Sequence, residues 1–310
     1  MRVHGNMNKL LRSIRFFLKE GPLNTVLKVR NRRRLWTNSE IPGYESLNSS
    51  ITDSQVSGGY PSFAYLASEN PADFKRFRAN ENLIQALDHV SIMHGKMYIT
   101  TIKNSQNFNP EMLKVINSLD SIGQPFKYYF RGFGVFSPTY LRYLSVYLKL
   151  TEIFGDLSKM TIAEIGVGFG GQASIILKHA QNINYSFYDL PPVLNLTRKF
   201  LNTLEIWGNF QFIDGRHPSR LRQRTTPEQI EADLVISNYA FSELARELQL
   251  LYIRDVLLKS KYGYITWNNL SSKNLGGLSV GEILRLIPNS DVLPEFPLTS
   301  DENVVIYWKN

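Results

Sequence analysis

The sequence predicts an α/β protein whose C-terminal half is built on a mostly parallel sheet, and three observations lead to this fold class. After Gly155, short apolar strands alternate with amphipathic helices, which is typical of parallel strands joined by crossover helices. The first of these strands runs into a glycine-rich turn at residues 166–171, and a helix follows at once. The last two strands are separated only by a loop. We therefore expect a Rossmann-like sheet that ends in an antiparallel hairpin and is preceded by a mostly helical cap.

Residues 1–37 form a basic N-terminal tail. They hold ten of the 35 basic residues and one of the 27 acidic residues, so the rest of the chain is close to neutral. Apolar side chains recur there at helical spacing and share one face: Met7, Leu10, Leu11, Ile14, Phe17 and Leu18. Gly21-Pro22 predicts the end of this helix. Apolar residues at helical spacing then resume and are followed by Arg32–Arg34. We expect residues 7–34 to lie on an anionic membrane surface, with packing against the body or a partner as the alternative.

Residues 38–155 are predicted to form the cap and to contact the substrate. Asn, Ser, Thr, Gly and Pro dominate the stretch from Thr37 to Gly59, which predicts a linker or irregular loop. Helical patterns follow, including one over 140–154 that carries Arg142 and Tyr143. Aromatic and arginine side chains stack on sugar rings and bind anions, so these two are candidate substrate contacts. A core role for the ring and a solvated guanidinium is the alternative.

Residues 156–310 form the predicted sheet domain. Its elements are expected, in order, at Thr161–Ile165, Ala173–Ala180, Tyr185–Tyr188, Val193–Leu204, Phe210–Ile213, Leu234–Ser237, Glu243–Leu258, Tyr264–Trp267, Val280–Leu286, Asp291–Leu293 and Val304–Trp308.

The glycine-rich turn is the motif that carries chemistry. Glu164 precedes Gly166, Gly168 and Gly170, and glycines at such a turn let the backbone approach a ligand while the helix N-terminus offers N–H groups to an anion. Asp189 ends the next strand, where a carboxylate can accept both hydroxyls of a ribose. The pattern predicts a site for an adenosine cofactor.

Two cofactor classes fit this geometry. Gly166, Gly168 and Gly171 satisfy the dinucleotide pattern, so a nicotinamide enzyme is a live alternative. Three observations favour S-adenosylmethionine (SAM). Glu164 matches the E-x-G-x-G-x-G form of methyltransferases, the terminal hairpin suits their sheet, and no Tyr is followed by Lys four residues later, as a short-chain dehydrogenase would require.

Three segments resemble the bacterial sugar O-methyltransferases, a family of class I SAM-dependent enzymes: Glu164–Gln172, Tyr188–Leu194 and Asp233–Leu244. The resemblance covers residues 137–310. It implies that Glu164 and the glycine loop hold the methionine part of SAM and that Asp189 holds the ribose. It further implies Asp214 beside the adenine, with Leu190 and Asn238 as cofactor contacts.

The loop after the fourth strand, residues 237–239, is expected close to the transferring methyl group. Tyr239 and Glu243 are four residues apart, so on a helix they would share one face. We predict that Glu243 accepts the hydroxyl proton and that Tyr239 positions the acceptor, which Arg142 and Tyr143 hold. His217 is the second candidate base, and a helix-capping role for Glu243 is the alternative reading.

The predicted function is transfer of a methyl group from SAM to a hydroxyl of a sugar in a bacterial glycan or its precursor, free or lipid-linked. The alternatives are an NAD(P)-dependent nucleotide-sugar oxidoreductase or epimerase, and a non-catalytic membrane-associated adaptor with the same fold. The absence of Cys excludes thiolate metal sites and cysteine nucleophiles. Nothing in the spacing requires a metal. A divalent cation bound by Asp214, Asp233 or Glu243 is nevertheless an open alternative.

The expected location is the cytoplasm, with peripheral contact at the inner face of the membrane. No apolar run approaches the roughly 18 residues that span a bilayer. The neutral body also argues against a nucleic-acid partner.

Overall fold

The computed structural model describes residues 2–36, 60–218, 232–300 and 302–310. In the first helix, side chains are described from Phe16 onward, apart from Phe17. The predicted linker at 37–59 therefore lies outside the described residues, and so do the side chains of the predicted apolar stripe up to Phe17.

A long kinked helix, α1 (Arg2–Arg34), opens the chain. Gly21 has a φ of 81° and ends the first segment, as predicted. The helix nevertheless resumes at once and continues to Arg34. This is possible because Pro22 stands at the first position of the new segment, where its missing N–H would have had no partner.

The cap is mostly helical, as predicted. Its helices are α2 (Tyr60–Glu69), α3 (Pro71–Phe74), α4 (Glu81–Leu87), α5 (Ile92–Asn104), α6 (Glu111–Leu119) and α7 (Pro138–Phe154). Between α6 and α7 lies a short antiparallel pair, β1 (Tyr128–Phe130) and β2 (Gly134–Phe136). These three-residue strands were not expected, because they are too short to show an alternating pattern.

A buried ion cluster joins the elements of the cap. The Arg78 guanidinium lies 2.6 Å from Asp88 and 3.0 Å from Asp120, and the carboxylate of Asp120 also accepts the hydroxyl of Ser137. The Arg78 side chain is fully buried, so its charge depends on these two carboxylates.

The C-terminal half forms a seven-stranded sheet. Its strands are β3 (Thr161–Ile165), β4 (Asn184–Asp189), β5 (Asn209–Asp214), β6 (Ala232–Asn238), β7 (Ser260–Trp267), β8 (Ser290–Pro294) and β9 (Val304–Lys309). The helices between them are α8 (Gly171–His179), α9 (Pro191–Thr203), α10 (Arg246–Asp255), α11 (Asn269–Asn274) and α12 (Val280–Leu286).

The strand order is β5-β4-β3-β6-β7-β9-β8, with β9 antiparallel to both of its neighbours. The prediction of a Rossmann-like sheet with a terminal hairpin is confirmed. The chain reverses its direction of winding at β3, whose neighbours are β4 on one side and β6 on the other. In open α/β sheets, ligands bind at the carboxyl ends of the strands at such a point.

Alternate residues of the central strands enter two cores. Ile162 and Phe187 pack on the face that carries α7, α8 and α9, and Ala163 and Val235 pack on the face that carries α10 and α12. Along the part of the chain described, no helix is both long and apolar enough to cross a membrane.

Candidate active site

A cleft of about 410 Å³ lies at the switch point, between the cap and the carboxyl ends of β3, β4 and β6. The sequence-predicted residues that line it are Arg142, Tyr143, Glu164, Gly166, Gly168, Asp189, Leu190, Asn238, Tyr239 and Glu243.

The glycine loop comes too close to its neighbours for side chains. A Cβ at Gly166 would lie 1.9 Å from that of Ala240, and one at Gly168 would lie 2.8 Å from Leu87 of the cap. Both glycines have positive φ angles, of 77° and 55°. The loop therefore meets both the segment after β6 and the cap, and its backbone forms the floor of the cleft.

Asp189 braces this loop from the end of β4. Its carboxylate accepts hydrogen bonds from the N–H groups of Gly168, at 3.0 Å, and Leu190, at 2.8 Å. Burial raises the pKa of Asp189 to about 7, although these backbone bonds lower it in part. The carboxylate thus lies at the cleft wall beside main-chain donors.

Glu164 is 2% exposed and accepts a 2.6 Å hydrogen bond from the Tyr185 hydroxyl. Burial raises its pKa to about 8, the bond from Tyr185 lowers it in part, and the charge of Asp189 raises it further. Two carboxyl groups with raised pKa values therefore share the cleft. Such a pair favours a ligand that brings positive charge or hydroxyl donors.

Three buried polar atoms of the cleft have no hydrogen-bond partner among the described residues: Arg142 Nε, Gln172 Oε1 and Asn238 Nδ2. Two are donors and one is an acceptor. Buried polar groups are seldom left unpaired, so their presence in a cleft points to a polar ligand. Gln172 was not predicted as a site residue, although its place in the first turn after the glycine loop is a usable signal.

The expected contact between Tyr239 and Glu243 does not form. Tyr239 has a φ of 70° and precedes a 3-10 turn over Ala240–Glu243, so the two residues do not share a helical face. The Tyr239 hydroxyl donates instead to the buried Glu295. Glu243 still lines the cleft at the end of the turn.

Gly170, Asp214 and His217 do not line the cleft. A Cβ at Gly170 would face Thr197, on α9 behind the loop. Asp214 holds Arg216 at 2.9 Å; burial would raise the pKa of Asp214, but the hydrogen bonds and charge of Arg216 lower it. His217 is exposed. The roles assigned to these three residues stay predictions.

Two cap histidines, His89 and His94, line the cleft although the sequence offered no motif for either. No cluster of three or more His, Asp or Glu side chains suited to a metal ion occurs in the described segments.

A second cavity, of about 350 Å³, adjoins the cleft. The two share Arg142, Asn238 and Tyr239, and the second is walled by further polar and aromatic side chains: Tyr98, Tyr264, Thr266 and Glu295. A ligand in either space would therefore meet the same three residues.

No protein-family model matches the chain, and neither does any curated protein. Solved structures do match. The CurJ carbon methyltransferase has a TM-score of 0.39 and 14% identity over 55% of this chain and 53% of its own. The mitomycin 7-O-methyltransferase MmcR has a TM-score of 0.37 and 16% identity over 55% and 57%. A SAM-dependent methyltransferase from Aquifex aeolicus has a TM-score of 0.36 and 15% identity over 52% and 87%. The chain spans about half the length of the first two.

Proposed function

We propose that this protein transfers a methyl group from SAM to a hydroxyl of a sugar. One observation carries the proposal. The glycine loop, Glu164 and Asp189 line the same cleft, next to buried donors and an acceptor that have no partner among the described residues. A nicotinamide cofactor would have no evident use for a carboxyl group at Glu164.

The residues of the cleft fit the cofactor group by group. Asp189 would accept hydrogen bonds from the ribose hydroxyls, and Glu164 with Gln172 Oε1 would receive the ammonium group of the methionine part. When bound, SAM supplies a methyl group activated by a positively charged sulfur.

The residues around Tyr239 would act on the acceptor. Glu243 would take the proton of the hydroxyl, directly or through water, and Tyr239 would position the acceptor while Glu295 fixes the tyrosine ring through its hydroxyl. Alignment of the reacting groups and a general base are the two contributions that such a displacement needs.

A sugar acceptor is favoured by the aromatic wall of the second cavity, where Tyr98, Tyr239 and Tyr264 can pack against the C–H faces of a ring. Arg142 and Tyr143 would hold its polar groups. We propose a bacterial glycan or its precursor, free or lipid-linked, as the source of this sugar.

A thermal-shift panel with S-adenosylhomocysteine, SAM, NAD and NADP tests the proposal. A ligand at 100 times its dissociation constant adds about 2.7 kcal/mol to the free energy of unfolding. We expect both SAM and S-adenosylhomocysteine to raise the melting temperature. A response to NAD or NADP with none to S-adenosylhomocysteine would replace the proposal with a nicotinamide enzyme.

A further inference from the structure

Two arginines of the cap are buried, and only one has a countercharge. Arg78 is bonded to Asp88 and Asp120, as described above. Arg142 is 8% exposed and forms no ion pair with any described residue. Its guanidinium lies over two tyrosine rings, at 5.3 Å from the centre of Tyr143 and 5.6 Å from that of Tyr239.

An unpaired buried cation lowers the stability of a fold, because desolvation is not repaid by a carboxylate. A hydrogen bond with the Tyr143 side chain and contacts with aromatic rings offset only part of this penalty. Packing alone therefore does not explain Arg142. Its Nε has no partner among the described residues, and the Nδ2 of Asn238, which lines the same two cavities, is a second donor without one.

The position of Arg142 completes the argument. It lines both cavities together with Asn238, so a ligand in either space would meet both residues. A planar guanidinium binds carboxylates and phosphates through two parallel hydrogen bonds.

We propose that Arg142 binds an anionic group of a ligand, a carboxylate or a phosphate, with Asn238 as a second donor. Two sources carry this chemistry. One is the amino-acid carboxylate of the cofactor, and the other is an acidic group on the acceptor in the second cavity. The assignment of the anion to either source rests on the proposed function, whereas the anion site itself does not.

The stability of the ligand-free protein separates a ligand-binding arginine from a structural one. We expect Arg142→Met to leave the melting temperature unchanged or to raise it, since an unpaired charge is removed. Arg78→Met should lower it, because Asp88 and Asp120 lose their partner. An Arg142→Met protein destabilised as much as Arg78→Met would overturn the proposal.

Calorimetric binding identifies the source of the anion. The probes are S-adenosylhomocysteine, 5′-methylthioadenosine, which lacks the amino-acid part, and the pair glucuronate and glucose, with inorganic phosphate alongside. If the cofactor is the source, Arg142→Met weakens S-adenosylhomocysteine at least tenfold and leaves 5′-methylthioadenosine unchanged. If the acceptor is the source, the variant loses glucuronate or phosphate binding and keeps S-adenosylhomocysteine.

Arg142→Lys, which keeps the charge, should retain part of the affinity in either case. Unchanged affinities of Arg142→Met for every anionic probe would refute the proposal, and so would a wild-type protein that binds none of them. Failure of the proposed function is a different result, in which neither adenosine compound binds but glucuronate or phosphate still does.

A second, independent inference concerns the segment of α1 from Pro22 to Arg34, which docks on the cap through polar side chains. The Asn24 side chain donates to the carbonyl of Tyr129 at 2.9 Å and accepts from its N–H at 2.6 Å. Asn31 donates to the carbonyl of Lys127 at 3.1 Å. Both asparagines are buried.

The outer face of this segment is apolar and basic. Leu23, Val26 and Val29 are 46%, 64% and 48% exposed, and Arg30 and Arg33 are exposed beside them. A helix on a globular body normally turns its apolar stripe inward. The arrangement is reversed here, and no acidic residue occurs between positions 21 and 34.

We infer that this outer face lies on an anionic lipid bilayer. Alternating apolar and basic side chains suit the boundary between acyl chains and acidic headgroups, whereas nucleic acid would gain nothing from the exposed Leu and Val. On the inner side of α1, just before this segment, Glu20 forms a 2.7 Å ion pair with Lys96 of α5, the helix whose His94 lines the cleft.

Co-sedimentation with phosphatidylcholine vesicles, with and without phosphatidylglycerol, tests this inference. The 310-residue protein should pellet only with the anionic vesicles, and less at high salt. Val26→Glu with Val29→Glu should abolish binding. A matched pair elsewhere, Leu250→Glu with Leu258→Glu, should retain it, since those side chains are similarly exposed.

Absence of binding to anionic vesicles at low salt would overturn the membrane inference. Equal binding by the two double variants would do the same. Preference for duplex RNA over vesicles would assign the arginines to a nucleic acid instead.

Discussion

The buried carboxyl group of Glu164 should make the protein less stable as the pH rises. Its pKa is raised from the ordinary 4.5 to about 8, mainly by burial in β3. Between these two values the folded chain holds a proton that the unfolded chain releases. Stability from this group is therefore fully present below pH 4.5 and is lost as the pH rises through 8.

The magnitude follows from the shift. One pKa unit corresponds to about 1.4 kcal/mol. Titration of Glu164 therefore lowers the free energy of unfolding by at most about 5 kcal/mol above pH 8, and by about 3 kcal/mol at pH 7. Glu164→Gln removes the titration but keeps the size of the side chain and an oxygen that can accept the Tyr185 hydroxyl. We expect the variant to match the wild type near pH 5 and to exceed it by about 2–5 kcal/mol at pH 8.

Denaturant unfolding from pH 5 to 8.5 measures both curves. Tyr185→Phe is the matched control. It removes the bond that lowers the pKa of Glu164, so the decline of stability should extend to higher pH than in the wild type. A residual decline should remain in Glu164→Gln, because the pKa of Asp189 is also raised, to about 7. Parallel curves for wild type and Glu164→Gln would refute the reasoning, since they would mean that Glu164 titrates normally in the fold.

Three further predictions concern the cleft. Asp189→Ala should weaken S-adenosylhomocysteine about 10- to 100-fold by calorimetry, since charge-assisted hydrogen bonds contribute about 1.5–3 kcal/mol each; an unchanged affinity would remove Asp189 from the ribose site. Gly166→Ala should lower the melting temperature and the affinity together, because its Cβ would lie 1.9 Å from that of Ala240; a stable variant that binds normally would contradict this. Glu243→Gln should lower turnover about 10²–10⁴-fold at saturating SAM with binding intact, while His217→Ala, outside the cleft lining, stays near wild type; the opposite ranking would make His217 the base.

The sheet and the glycine-loop side of the cleft can be predicted from the sequence. Strand, turn and helix are consecutive around Gly166, so their spacing carries the geometry directly. Asp189 is equally predictable, because β3 and β4 pair in parallel and their carboxyl ends meet at one edge. These features depend on short segments and on one neighbouring strand.

Which side chains face one another across the cleft depends on the packing of elements that are distant in the sequence. Tyr239 pairs with Glu295, 56 residues away, and not with Glu243, because a positive φ at Tyr239 turns the chain before any helix begins. Arg142 is a candidate from its residue type, but its lack of a carboxylate partner depends on how α7 packs against α5 and α8. No spacing along the chain encodes either fact.

The same division holds for the tail. Its charge and the helical spacing of its apolar residues can be seen in the sequence. The face that docks on the cap is the one that carries Asn24 and Asn31, whose hydrogen-bond partners lie 105 and 96 residues further along the chain. A periodic pattern states which side chains share a face. It cannot state which face is covered, because that depends on backbone groups of the cap, such as those of Tyr129, that only folding brings into reach.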